Sequence, residues 1–247
     1  MGYAHPMRHA PRLLLPLAFA AAISARSSRS PADPPKEAPY PLDGIPREAP
    51  ATGDLGCPRI EVASYRGDVV RYKPEIWVNP SFRARLAAFE RIVRDTGVEV
   101  YGRAPERIVQ LGGYGCRRMR EHAGWLSEHA LGNAIDVAGF DFGHAPKDAR
   151  LPPGLDPAFA NGFEVRVLGH WGKRTGHAAV HARFLRTLVQ RLVSRDDVFR
   201  VLLGPGYPGH TNHFHFDVAT FRLVQIFEDG RLLQAPSPPV PPAPPAP

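Results

Sequence analysis

Cysteine is scarce in this 247-residue chain: only Cys57 and Cys116 are present, and neither belongs to a C-x-x-C unit. A metal site built on the pair is therefore disfavoured, and a disulfide is the reading that suits an even pair if the chain is exported. Long apolar runs are also missing. The best candidate, residues 13–23, is shorter than the ~20 residues a membrane-crossing helix needs. No cysteine follows it that would carry a lipid anchor. The formal charge is +7, yet the arginines are scattered, with no run of five or six and no interleaved aromatic motif. A soluble domain with a mildly basic surface fits better than a nucleic-acid binder. There is no internal repeat and no regular strand–helix alternation, which argues against a doubly wound sheet.

Proline, by contrast, is abundant and uneven. The 28 prolines crowd before Pro58 and after Gln234, so a folded middle between extended flanks is expected. Arg8 and Arg12, the apolar stretch that follows, and the small residues Ala22, Ser24 and Ala25 have the order of a signal peptide over residues 1–25. Residues 26–56 hold few large apolar side chains and are expected to be a flexible linker. Residues 57–234 form the expected domain, and the proline-rich residues 235–247 an extended tail.

Within the domain, Asn79-Pro80 is a helix-start signal. Phe82, Leu86, Phe89 and Val93 recur at helical spacing, and Gly97 is expected to end that helix. A second helix is expected over residues 177–193, with Val180, Phe184, Leu188 and Leu192 on one stripe. Strands are expected over residues 107–111, 134–137, 163–168, 199–203 and 213–218, and Asp229-Gly230 marks a hairpin. The mixture fits an α+β fold.

Most of the eleven histidines have no partner at ligand spacing. His177 and His181 stand one helical turn apart but lack the glutamate of H-E-x-x-H, and read as solvated helix residues. Ser127 has no nucleophile elbow around it. Two segments remain: S-E-H-A-L-G-N-A-I-D-V from Ser127, and H-T-N-H-F-H-F-D from His210. In a strand His213 and His215 share one face while Phe214 and Phe216 point into a core. Likewise Asp136 lies opposite Ile135 and Val137, and a carboxylate in such a strand requires a partner. His129, Asp136 and His215 can supply two imidazoles and a carboxylate, leaving a fourth metal position for water. Zn2+ suits this ligand set, with manganese and iron also compatible. Asp217, on the same face as the histidines, is placed to orient a ligand.

These segments, together with G-Y-G-C-R-R-M and L-G-P-G-Y-P-G from Leu203, resemble the bacterial extensin-like C-terminal domain family. S-x-H-x-x-G-x-A-x-D followed by H-x-H is similar to the wider superfamily of lysostaphin, zinc D-alanyl-D-alanine peptidases and the hedgehog signalling domain. The resemblance implies an α+β fold around a small antiparallel sheet, and zinc held by His129, Asp136 and His215. It also implies His213 beside the metal, His210 as a general base, and Arg117 steadying a substrate carbonyl or carboxylate, with Arg118 the alternative. The function so implied is a peptidase acting on peptidoglycan peptides in the periplasm or cell envelope, with an inactive wall-binding module as the alternative.

Overall fold

The structure, a computed structural model, describes Met1 and residues 39–234. The expected signal peptide after Met1, residues 26–38 of the expected linker and the proline-rich tail lie outside the described residues. In chain order the strands are β1 (Ala63–Tyr65), β2 (Arg71–Lys73), β3 (Ile76–Val78), β4 (Arg107–Gly112), β5 (Ala134–Phe142), β6 (Phe163–Arg166), β7 (Val201–Leu203), β8 (Phe214–Asp217), β9 (Leu223–Gln225), β10 (Phe227–Glu228) and β11 (Arg231–Leu232). The helices are α1 (Arg83–Tyr101), α2 (Val167–His170) and α3 (Gly176–Val193).

The fold is α+β. Its main sheet runs in the order β2-β4-β5-β8-β7-β9, with β6 also pairing β5. The middle is antiparallel, while β2–β4 and β7–β9 at the two edges are parallel. β1 and β3 pair in a small separate ladder, and β10 and β11 form the hairpin expected at Asp229-Gly230.

One face of the sheet is covered by the apolar stripes of α1 and α3. Phe82, Leu86, Phe89 and Val93 are fully buried, as are Phe184, Leu188 and Leu192. Phe216 on β8 stacks on Phe199 and meets Phe89 edge-on, so the strand that carries His215 is anchored from behind by aromatic packing.

Four expectations are corrected. Helix α1 passes through Gly97 and ends at Gly102, whose φ of 74° is the left-handed conformation that stops a helix. Gly97 is inside the helix because the chain returns against it: a Cβ there would lie 2.8 Å from the Arg103 carbonyl oxygen. The strand expected over 163–168 stops at Arg166, where α2 begins. His181 is not solvated: it is buried, with Nδ1 2.8 Å from the Tyr101 hydroxyl. Finally, the stretch taken as linker is packed from residue 39 onward, because Tyr40 and Leu42 bury their side chains in the core. Those two side chains offset the entropic cost that the surrounding prolines and small residues cannot.

Candidate metal centre

Three unrelated pieces of chain converge at the site. His129 sits in a single 3-10 turn, Glu128–Leu131, started by the Ser127 side chain and ended by Gly132 at φ 59°. A Cβ at Gly132 would lie 2.6 Å from the Asn79 nitrogen, so only glycine closes this turn against the β3 end. Asp136 lies on β5 and His215 on β8, directly opposite each other in the antiparallel register. Ile135 and Val137 face the core, as do Phe214 and Phe216. The alternation of the strands therefore turns the carboxylate and the imidazole to the same side.

The three side chains offer one ligand atom each, all within 4.8 Å of one another, and can hold a metal ion. His129 Nε2 lies 3.2 Å from Asp136 Oδ1 and 3.1 Å from His215 Nδ1, and His215 Nδ1 lies 2.9 Å from Asp136 Oδ1. Outside this triangle each imidazole is oriented by a second partner. His129 Nδ1–H donates to the Gly113 carbonyl, and His215 Nε2–H donates to Asp217 Oδ2 at 2.7 Å. Those outer bonds fix the tautomers so that a lone pair of each ring faces inward. Asp217 is itself held by the Ala219 N–H at 2.8 Å.

The electrostatics agree with a cation at the centre. Burial pushes Asp136 up, but the hydrogen bonds and charges of His129 and His215 hold its carboxyl well below the ordinary range. His129 is pushed down by burial. For His215, burial acts downward, yet Asp136 and Asp217 outweigh it and raise the imidazole to about 9. Two buried carboxylates thus call for positive charge at this point. A bound metal ion supplies that charge in place of a proton and leaves both rings neutral.

Asp136 and His215 lie in the wall of a cleft of about 420 Å³, with His129 buried behind them. Along the rim, His213 Nε2 lies 3.6 Å from Asp136 Oδ1, while its Nδ1–H donates to Asn212 Oδ1 at 2.8 Å. His210 Nδ1–H donates to the Pro208 carbonyl at 2.8 Å, and its ring centroid lies 4.9 Å from that of His213. Burial pushes both rings down, His213 to about 4, so both are neutral at pH 7 with Nε2 free to accept a proton. Arg117 reaches Asp136 Oδ2 at 3.3 Å from an exposed position. Arg118 turns away and donates to the carbonyls of Pro50 and Gly53. Arg117 is thus the arginine that faces the triad. Arg120 also lines the cleft, and among the described residues it forms no hydrogen bond or ion pair.

Of the six site residues named from the sequence, Asp136, His215, His213, His210 and Arg117 line one cleft, and His129 lies buried directly behind Asp136 and His215. Asp217 takes the orienting position. The Gly113 carbonyl could not be read from the sequence, because a main-chain acceptor has no residue-type signal. Cys57 and Cys116 form a disulfide, which ties the start of the expected domain to the residue before Arg117.

No curated protein and no solved structure matches the chain. Residues 44–147 match the family model described as Extensin-like protein C-terminus, a stretch that carries His129 and Asp136 and ends before His215, and the match supports the extensin-like family for this chain.

Proposed function

We propose that the chain is a zinc-dependent peptidase that hydrolyses amide bonds in peptidoglycan stem peptides or their cross-links, exported to the bacterial periplasm or cell envelope. The observation that carries this reading is the convergence of His129 Nε2, Asp136 Oδ1 and His215 Nδ1 beside a cleft lined by Asp136 and His215, whose rim holds two neutral histidines and Arg117. Zinc fits the donor set. Tetrahedral bonds of about 2.0–2.1 Å separate ligand atoms by about 3.3 Å, close to the 2.9–3.2 Å found here. A zinc ion with three protein ligands lowers the pKa of water to about 7 and polarises a carbonyl oxygen.

The chain's own residues supply the remaining roles. His210 and His213 each present an unprotonated Nε2, which can take a proton from the attacking water and return it to the leaving amine. The Arg117 guanidinium carries a fixed charge that meets the developing charge on the scissile carbonyl oxygen. Arg120, without a partner among the described residues, is available to a substrate carboxylate or carbonyl. Export is supported by the signal-like order of residues 1–25 and by the disulfide, which persists in oxidising compartments. No described helix is long and apolar enough to cross a membrane.

The test is incubation of the zinc-loaded protein with purified peptidoglycan, beside a chelated sample, with fragments identified by mass spectrometry. Fragments that disappear on chelation are expected, and their masses name the bond. A folded protein with stoichiometric metal that releases none overturns the peptidase reading and leaves a metal-containing wall-binding module.

A further inference from the structure

A buried polar network lies next to the triad without contributing a ligand. Asn133 is fully buried, and its Nδ2 donates both to Glu128 Oε2 at 2.7 Å and to the Val218 carbonyl at 3.0 Å. Its Oδ1 accepts from the Tyr40 hydroxyl at 2.6 Å. Glu128 is in turn gripped by Arg47, with Nε to Oε1 at 2.9 Å and Nη2 to Oε2 at 3.3 Å. Arg47 is itself fixed by donating to the carbonyls of Leu42, Asp43 and Ile45. The backbone around it pairs with the loop that leads into the His129 turn: Leu126 N–H donates to the Arg47 carbonyl and Ala49 N–H to the Gly124 carbonyl.

The position of this network gives it a role. Glu128 is the residue before His129, and Val218 follows Asp217, which orients His215. One set of side chains therefore grips the neighbour of a ligand on the 3-10 turn and the end of the strand bearing another. His129 and His215 are 86 residues apart in sequence, and their 3.1 Å separation depends on how these two segments are held. We propose that Tyr40, Arg47, Glu128 and Asn133 are positioning residues for the metal centre, so that metal affinity depends on the N-terminal segment 40–47. The inference rests on the reading of the triad as a metal site.

The experiment measures zinc affinity of the full chain by competition with a chromophoric chelator, beside the thermal midpoint of the metal-free protein. Tyr40→Phe removes one hydroxyl, and Arg47→Lys keeps the charge opposite Glu128 but loses the two-point grip. Each is expected to weaken zinc binding about tenfold, the low end of the range for groups bonded directly to metal ligands, because Tyr40 and Arg47 act through Asn133 and Glu128. Tyr65→Phe is the control. It likewise deletes one buried tyrosine hydroxyl bond, from Tyr65 to Glu90 on α1 at 2.9 Å, and is expected to lower the thermal midpoint with zinc affinity unchanged. Parental affinity in both Tyr40→Phe and Arg47→Lys overturns the inference. So does an equal loss in Tyr65→Phe, because affinity would then simply follow stability. A parent chain that binds no zinc overturns the metal reading itself, and this inference with it.

Discussion

His215 faces carboxylates on both sides of its ring, Asp136 at 2.9 Å on Nδ1 and Asp217 at 2.7 Å on Nε2. The first stands in the ligand triangle and the second outside it, so the two acids are not interchangeable. Asp217→Asn keeps the size of the side chain but removes its charge and permits the wrong tautomer of His215. It is expected to weaken metal binding about 10- to 100-fold while leaving the protein folded, as checked by competition with a chelator and by circular dichroism. At this scale much was legible in the sequence. The alternation of small, apolar and acidic residues in A-I-D-V, and of histidine and phenylalanine in H-F-H-F-D, places the polar groups on one face of each strand. The Gly113 carbonyl was not legible, because it is positioned by the β4 end rather than by a side chain. Nor was the choice between Arg117 and Arg118, which depends on where the loop packs against residues 50–53.

Helix α3 shows how periodicity can identify an element and still misplace one of its faces. Its stripe of Phe184, Leu188 and Leu192 faces the core as the spacing requires, but His181 is buried too, among Tyr101, Phe159 and Phe163. Burial pushes its imidazole down to about 4, with the charges of His170 and His177 acting the same way. The unfolded chain keeps an ordinary value of about 6.5. The folded state then binds fewer protons than the unfolded one between those limits. Stability is fully present above about pH 6.5 and is lost as the pH falls toward 4. His181→Gln retains an acceptor for the Tyr101 hydroxyl and does not titrate. It is expected to show a shallower fall of the urea midpoint between pH 7 and pH 4.5 than the parent. An unchanged slope would assign the pH dependence to other groups. His170, pushed down chiefly by burial, contributes a residual slope of the same sign. Helix α1 carries a related lesson: Gly97 reads as a stop locally, but close approach of residues 103–105 explains it, and the stop is Gly102.

Across the whole molecule, the N-terminal segment from residue 39 and the Cys57–Cys116 disulfide brace the loop that carries Arg117 and leads to His129. The disulfide closes a loop with a sequence separation of 59. In the chain-entropy account, a loop of that length is worth about 4 kcal/mol. Replacing both cysteines by serine is therefore expected to lower the unfolding free energy by about that amount in urea titration; a change below about 1 kcal/mol would show that residues 39–56 hold the loop without it. The α+β class, the two long helices, the C-terminal hairpin and the candidate ligands all follow from local rules, because strand alternation, helical periodicity and turn chemistry act over a few neighbouring residues. The packing of residues 39–47 does not. Its proline-rich composition predicts a linker, and only the apolar core together with Glu128 and Asn133, which stand 80 or more residues later, makes its folding favourable. The candidate metal centre divides in the same way: the face of each of its residues is written in its own strand or turn, whereas the 3.1 Å between His129 and His215 exists only once β5 and β8 pair and the buried network closes around them.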